Sequence, residues 1–208
     1  MRIDIFQDMV CPWCRIGKTN LYRALEMRGG EPPELRWRAF MLDPSVPEEG
    51  LPFMRTMQQK YGEQFSHEGM LGRVTEAGRS VGLTFDFRKV EYMPNTRLSH
   101  RMTAIAPDEF KAPLVDAIHR AYFEEGRNIG DRAVLMRIAE ETGLDANDLA
   151  DRLDRGEGEA EIEEDFEMAK RIGITGVPFF IIGRKFGLSG AQPPEAFLNV
   201  FRRLEEQA

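Results

Sequence analysis

The chain has 208 residues, of which 42% are hydrophobic and 30% charged, and its formal net charge is −7. This composition predicts a packed core and excludes a disordered chain, while the acidic balance argues against a nucleic-acid partner. No run of 18 or more apolar residues is present, so we predict no membrane partner. The chain opens with MRIDIF, which has an acid where a secretion signal is apolar, and we therefore expect a cytoplasmic protein.

The first fifty residues carry the signals of a strand, a helix and a second strand. Apolar and polar residues alternate over positions 2–6, which is typical of a short strand. From Pro12 the apolar spacing becomes helical, and Gly29-Gly30 ends the helix. Apolar residues then alternate with arginines over positions 35–41, as in another strand. A loop rich in proline and acid closes this first segment, which we set at residues 1–50.

The rest of the chain divides into two further segments. Residues 51–156 contain amphipathic helix patterns and hardly any strand signals, and Asp131 and Asp145 stand where helix caps are expected. Residues 157–208 resume mixed structure, with a helix, a loop into a buried strand, a turn at Gly183-Arg184 and a last helix from Pro193-Pro194. The element order predicts an α/β protein with a thioredoxin-like fold and a large all-helical insertion.

Cys11 and Cys14 are the two cysteines of the chain, and they flank Pro12 and Trp13 where the first strand gives way to the first helix. A Cys-x-x-Cys pair in this context is typical of a thioredoxin-like redox site. Unpaired N–H groups and the positive dipole end of a helix stabilise a thiolate. We therefore expect Cys11, at the exposed start of the helix, to be the nucleophile and Cys14 to be the resolving thiol.

Other residues are expected to shape this site. Pro12 stiffens the turn and removes one N–H donor, and Trp13 supplies apolar surface beside the sulfur. A proline entering a central strand is unusual unless its peptide bond is cis, so we predict a cis Val177–Pro178 bond facing the cysteines. Gly176, Val177 and Pro178 would then bind an extended peptide through backbone atoms.

Two polar residues are weaker candidates, and metal binding is not expected. His100 falls on an inserted helix that could overhang the site, and Asp8 could relay a proton, although a solvated carboxylate at a strand end is the simpler interpretation. Zinc needs four ligands in structural sites, and the three histidines lack zinc-site spacing, so we predict no metal. An inert or purely structural cysteine pair is a further alternative, which the short loop makes unfavourable.

The motifs together resemble the DsbA-like thioredoxin family, and within it the FrnE-type branch of thiol–disulfide oxidoreductases. The similarity rests on Asp8-x-x-Cys11-Pro12-Trp13-Cys14-x-Ile16-Gly17-Lys18, Trp37-Arg38-x-Phe40-x-Leu42, Asn95-Thr96-x-x-x-His100-Arg101, Ala121-Tyr122-Phe123-x-Glu125-Gly126, Gly176-Val177-Pro178-Phe179-Phe180 and Ser189-Gly190-Ala191-Gln192-Pro193.

The resemblance implies a thioredoxin domain with a helical insert, catalytic Cys11 and Cys14 beside cis Pro178, and protein or peptide thiols and disulfides as substrates. It implies no cofactor beyond the redox-active disulfide, with glutathione as a candidate co-substrate, and a cellular dithiol or glutathione system for recycling. Two departures stand out. Trp13 replaces the histidine of well-known periplasmic members, and the additional C-terminal cysteines of some FrnE-type proteins are missing.

Two other functions remain open from the sequence. Kappa-class glutathione transferases and 2-hydroxychromene-2-carboxylate isomerases are similar in layout, but they generally carry serine at the nucleophile position. The present chain has a cysteine pair instead, which favours dithiol chemistry. A redox-independent chaperone-like binding module would require the cysteines to be incidental.

Overall fold

The computed structural model describes residues 1–207, and outside the insertion its secondary structure follows the order expected from the sequence. In chain order the elements are β1 (Arg2–Gln7), α1 (Pro12–Arg28), β2 (Glu34–Ala39), β3 (Leu51–Pro52), α2 (Phe53–Tyr61), α3 (Met70–Ser80), β4 (Tyr92–Met93), α4 (Arg97–Ile105), α5 (Asp108–Phe123), α6 (Arg132–Glu141), α7 (Ala146–Asp154), α8 (Glu159–Arg171), β5 (Phe179–Ile182), β6 (Phe186–Ser189) and α9 (Pro194–Glu205). This is the α/β thioredoxin-like fold with a helical insertion.

The central sheet has the strand order β2-β1-β5-β6. β1 and β2 run parallel, whereas β5 is antiparallel to β1 and to β6. β1 is therefore an interior strand, and all its residues from Ile3 to Gln7 are buried. The carboxyl end of β1 leads directly to the cysteines, so the sheet fixes the position of the first turn of α1.

Helices cover both faces of this sheet. On one face α1 and α9 pack against a cluster of buried apolar side chains that includes Ile3, Ile5, Phe180 and Phe197. On the other face Phe6, Ala169 and Ile174 form a smaller cluster that brings α8 to the sheet. This two-sided cover explains why β5 is a continuous apolar run, and why the polar residues Asp4 and Gln7 of β1 are also buried.

The insertion shares its core with the thioredoxin-like part. One cluster of buried apolar residues extends from Met9 and Ile16, beside the cysteines, to Leu153 at the end of α7. The carboxylates of Asp131 and Asp145 accept backbone N–H bonds at the starts of α6 and α7, so both predicted caps are confirmed. The insertion also contains the antiparallel pair β3–β4, which its helical pattern did not predict.

The predicted segment boundaries, 1–50, 51–156 and 157–208, stay predictions, and Ala208 lies outside the described residues. Within residues 1–207, no helix is both long and apolar enough to span a membrane.

Candidate active site

Cys11 and Cys14 occupy the first turn of α1. Cys11 is the N-cap, with extended φ and ψ of −94° and 108°, and Pro12 follows at the first helical position. The Cys11 N–H donates to the Asp8 carbonyl over 3.0 Å, and the Cys14 N–H donates to the Cys11 carbonyl over 3.1 Å. Both thiols are free. The turn holds Cys11 at the helix N-terminus and Cys14 one turn farther in.

A loop from the far end of the sequence closes over Cys11. The Val177–Pro178 peptide bond is cis, and the Cys11 Sγ lies 3.5 Å from the Val177 carbonyl oxygen. The Pro178 carbonyl accepts the Gly190 N–H over 2.8 Å, which ties this loop to the end of β6. The structure therefore brings Cys11 and Val177 together, with Gly176 next to them and partly exposed.

The expectation of an exposed Cys11 is wrong. Cys11 is 3% exposed and Cys14 is 2% exposed, whereas Trp13 is 45% exposed. Cys11 is covered because the Val177–Pro178 loop packs on it, a contact that sequence separation conceals. The indole of Trp13 is therefore the large apolar surface that this turn presents to solvent.

The environment of Cys14 disfavours its thiolate. Burial raises the pKa of the Cys14 thiol well above its ordinary value, and the neighbouring Cys11 sulfur and the Asp8 carboxylate raise it further. The Asp8 backbone partly offsets these effects. Cys14 is accordingly held as a thiol that must lose its proton before it can act as a nucleophile.

Asp8 and His100 form a buried pair behind the cysteines. The Asp8 carboxylate accepts the Leu42 N–H over 2.7 Å, and its other oxygen lies 3.4 Å from Nε2 of His100. Both side chains are only 2% exposed. The interpretation of Asp8 as a solvated carboxylate is thus wrong, because the loop after β2 and helix α4 enclose it. His100 does not overhang the cysteines from solvent but lies inside the protein.

Comparison with known proteins then identifies the family. Residues 2–202 match the DsbA-like thioredoxin domain. The chain belongs to the DsbA-like thioredoxin family of thiol–disulfide oxidoreductases. The match covers the thioredoxin-like part and the insertion together, and it does not distinguish the FrnE-type branch, which stays a prediction.

Individual proteins are similar to this chain over most of its length. A probable DsbA oxidoreductase from Streptomyces coelicolor is 31% identical, with a TM-score of 0.89, and the alignment covers 100% of this chain and 91% of that one. The uncharacterized protein YwbO of Bacillus subtilis is 29% identical over 88% of this chain and 87% of its own length. The cytosolic disulfide reductase DsbM of Pseudomonas aeruginosa, solved with glutathione, shares the fold at 21% identity and a TM-score of 0.66, covering 98% and 100% of the two chains.

In this DsbA-like protein a second polar cluster lies between α1 and α5, and the sequence patterns did not reveal it. Lys18 is 3% exposed and ion-paired with Asp116, and burial together with nearby Arg15 lowers its pKa to about 7. His119 is 1% exposed, and burial holds its pKa well below the usual value. Both its ring nitrogens lack a partner among the described residues. The sequence did contain an indication of this cluster, because Lys18 and His119 are polar residues at positions where the helical spacing of α1 and α5 predicts buried apolar ones.

The site offers no arrangement typical of a metal centre. Among residues 1–207, no three His, Cys, Asp or Glu side chains are grouped to hold a metal ion.

Proposed function

We propose that this protein is a dithiol–disulfide oxidoreductase that acts on protein or peptide substrates through Cys11 and Cys14. The observation that carries the proposal is the contact between the Cys11 Sγ, at the N-terminus of α1, and the carbonyl of Val177 in the cis-prolyl loop. A nucleophilic sulfur lies there beside a backbone segment that can pair with an extended chain.

The reaction follows from thiol–disulfide exchange. The Cys11 thiolate attacks one sulfur of a substrate disulfide, that S–S bond breaks, and the departing sulfur leaves as a thiolate. Cys14 then gives up its proton and attacks the Cys11 sulfur of the mixed disulfide. The second substrate sulfur leaves as a thiol, so the substrate gains two electrons and Cys11–Cys14 becomes a disulfide. The reverse sequence oxidises a substrate dithiol.

The first step depends on the stability of the Cys11 thiolate. The positive end of the α1 dipole favours a negative charge at the N-cap, where Cys11 lies. Pro12 removes one donor from this turn, and Trp13 adds no positive charge. The N-terminus of α1 is therefore the feature of this turn on which the proposed attack by Cys11 depends.

We propose Asp8 and His100 as the groups that receive the Cys14 proton. The support is their burial together and the effect of the Asp8 charge on the Cys14 pKa. Because Cys14 is 2% exposed, bulk water cannot readily take its proton, and the proton must pass to an acceptor inside the protein.

Substrate recognition is proposed to involve the surface next to Val177. A depression of about 450 Å³ has apolar residues from the loop after β2, from α8 and from the segment after α8 on its wall, including Phe40, Phe166 and Ile174. The charged residues Arg97, Glu163 and Lys170 also line it. Val177 packs against the same apolar cluster as Phe40 and Ile174. Together with the exposed indole of Trp13, this surface favours an unfolded or extended chain carrying apolar side chains as the substrate.

Recycling requires an external thiol system, because the chain has no cysteines besides this pair. A cellular dithiol protein or glutathione would restore the starting redox state. The presence of glutathione in the DsbM structure, and the cytosolic setting named for that reductase, support glutathione as a co-substrate and a cytoplasmic location.

The test is a trapping experiment in cells. In Cys14→Ala the mixed disulfide at Cys11 cannot be resolved, so substrate proteins should accumulate on Cys11 and be released by reductant. Cys11→Ala, the matched control, should trap none.

Other outcomes would overturn the proposal. An absence of trapped proteins, with glutathione-dependent isomerase activity intact in both variants, would assign the protein to the kappa-class or 2-hydroxychromene-2-carboxylate isomerase type. Aggregation suppression that persists in Cys11→Ala/Cys14→Ala, as the only measurable activity, would leave a redox-independent chaperone-like module.

A further inference from the structure

Strand β2 forms an edge of the central sheet, and its outer side is open. β2 pairs only with β1 among the described residues. The Glu34 N–H donates to the Met1 carbonyl, and the Phe40 N–H donates to the Gln7 carbonyl. The backbone N–H and C=O groups of the even-numbered residues of this strand therefore point toward β1. The N–H and C=O groups of Leu35, Trp37 and Ala39 consequently point away from the sheet.

One of these outward groups already has a strand-like partner. The Ala39 N–H donates to Oδ2 of Asp165, over 2.9 Å, so a side chain of α8 supplies the acceptor that a neighbouring strand would have provided. The N–H groups of Leu35 and Trp37 have no such partner within residues 1–207. The edge of β2 is therefore blocked at Ala39, whereas its backbone at Leu35 and Trp37 can still form hydrogen bonds with another strand.

This open edge lies in a cleft rather than on a convex rim. The cleft has a volume of about 590 Å³ and is bounded by β2, by the α4–α5 corner and by α8. Ala104 and Ala112, on the α4 and α5 side, are small and leave space next to the strand. The length of β2 exposed here matches about five residues of an extended chain.

The charge of the cleft indicates what would bind. Five carboxylates and three cationic side chains line it, and the cationic ones are already occupied, since Arg36 pairs with Glu34, Arg38 with Asp4 and Asp165, and Lys111 with Asp108.

Glu161 and Glu164, one turn apart on α8, are different. Both are exposed, and neither forms an ion pair within the described residues. A segment entering the cleft would therefore meet unneutralised negative charge, which favours a lysine or arginine side chain.

We propose that this cleft, the β2-edge cleft, binds an extended segment of a partner protein as an additional strand beside β2, with basic side chains directed at Glu161 and Glu164. Backbone hydrogen bonds to Leu35 and Trp37 hold the segment, and the two glutamates select its charge. A second copy of this acidic chain is a poor occupant, because the helices that wall the cleft would separate two β2 strands. The surface is an exosite that operates independently of Cys11 and Cys14.

The test uses two synthetic peptides, acetyl-Lys-Val-Lys-Val-Lys-Val-amide and its counterpart with glutamate in place of lysine. Trp37 lines the cleft and reports binding by fluorescence in a Trp13→Phe protein. We expect the lysine peptide to bind and the glutamate peptide not to bind. Slowed exchange of the Leu35 and Trp37 amides on binding would identify the edge as the contact.

Two variants examine the two halves of the proposal. Glu161→Lys/Glu164→Lys should weaken lysine-peptide binding about tenfold, as the loss of two exposed charge pairs requires. Glu26→Lys/Glu140→Lys, which changes the net charge equally at exposed sites elsewhere, should not. Leu35→Pro removes one outward N–H without touching the β1 ladder and should weaken binding comparably.

The proposal fails if both peptides bind equally, if the Glu26/Glu140 control loses as much affinity as the Glu161/Glu164 variant, or if the Trp37 signal does not change. The glutamate variants keep it testable if Leu35→Pro does not fold. Peptide binding should be unchanged in Cys11→Ser/Cys14→Ser, so failure of the redox proposal and failure of the exosite give different results.

Discussion

The charge of Asp8 affects the ionisation of Cys14, because both side chains are buried next to the first turn of α1. A carboxylate close to a thiol opposes the formation of a second negative charge, and the low polarity of the surroundings strengthens that repulsion. The same carboxylate is the proposed acceptor of the Cys14 proton. Removal of this carboxylate should therefore make the Cys14 thiolate more stable and yet slow the transfer of the proton from Cys14.

Asp8→Asn should lower the pKa of Cys14 and yet slow the resolution of the mixed disulfide. Asparagine can still accept the Leu42 N–H, so the loop after β2 keeps its anchor. The thiolate absorbance of Cys14 is titrated in a Cys11→Ser background, and resolution is timed with Cys11 preloaded with a peptide thiol. The control is Glu49→Gln, an exposed loop carboxylate. A lowered pKa with an unchanged or faster resolution rate would exclude Asp8 as the proton acceptor.

His119 should limit stability at acidic pH. Its pKa in the folded protein lies below that of the unfolded chain, so below about pH 6.5 the unfolded state binds a proton that the folded state does not. The stability contributed by neutral His119 is therefore complete above that pH and is lost as the pH falls. Its two ring nitrogens, which make no hydrogen bond of ordinary geometry within residues 1–207, are an additional cost at every pH.

Replacing His119 by leucine should raise the free energy of unfolding by about 1 kcal/mol at pH 7, because it removes two buried polar atoms that have no hydrogen-bond partner among the described residues. The gain should be larger at pH 5, since only the parent protein then loses stability to histidine protonation. Urea unfolding at pH 7 and pH 5 measures the gain in the free energy of unfolding at each pH. The control is His67→Leu, at a partly exposed histidine. A gain that does not grow between pH 7 and pH 5 would contradict the assigned pKa direction.

Residues with distinctive side-chain chemistry were predictable from the sequence, whereas residues with distinctive surroundings were not. Cys11, Cys14 and Pro178 have side chains whose spacing or ring predicts a role. The burial of Asp8 instead depends on Leu42 and on His100 of α4, which are brought to it by the fold. No local pattern around Asp8 contains that information, and the same holds for the burial of Cys11 by Val177.

Helix α1 approaches the cis-prolyl loop through Gly17. A Cβ at this position would lie 2.8 Å from Cγ of Pro178 and 3.3 Å from both Cα of Ala191 and the ring of Phe180. The absence of a side chain therefore sets the distance between α1, which carries the cysteines, and the loop that covers Cys11. Glycine normally weakens a helix interior, so its presence here reflects this close approach.

Gly17→Ala should destabilise the protein by about 1–2 kcal/mol, because overpacking against Pro178 exceeds the roughly 1 kcal/mol gain in helix propensity. It should also increase the accessibility of Cys11, measured as a faster reaction with a bulky thiol reagent. Gly176→Ala is the control, because a Cβ there would meet no atom of residues 1–207 within 4 Å. An equally stable Gly17→Ala protein with unchanged Cys11 reactivity would mean that α1 does not set the covering of the sulfur.

At the level of elements, the strands and the amphipathic helices were predictable because each has its own periodicity and its own caps. β3 and β4 were not, because each has only two residues and forms through a partner some forty positions away. Helix α8 was predicted, but its role in closing the end of β2 was not, since Asp165 reads in sequence as one acid among several.

The whole molecule should unfold as one unit despite the interrupted order of its thioredoxin-like part. The largest apolar cluster joins Met9 and Ile16, next to the cysteines, to the helices of the insertion. Trp37 packs against both this cluster and the one between the sheet, α1 and α9. An insertion that folded independently would expose a broad apolar surface toward α1, which makes separate stability unfavourable.

Far-ultraviolet circular dichroism, which mainly reports the helical insertion, and tryptophan fluorescence should therefore give coincident thermal transitions. Leu114→Ala, in the insertion, and Phe197→Ala, beneath the sheet, each empty a fully buried site and should each cost about 3 kcal/mol. For a chain of this length that cost lowers Tm by roughly 6–12 °C, and both variants should keep a single transition. If Leu114→Ala instead melts its helices before the tryptophan signal changes, the insertion is a separate cooperative unit. In that case the boundaries at residues 50 and 156 are true domain limits, because only a unit with its own core can lose structure alone.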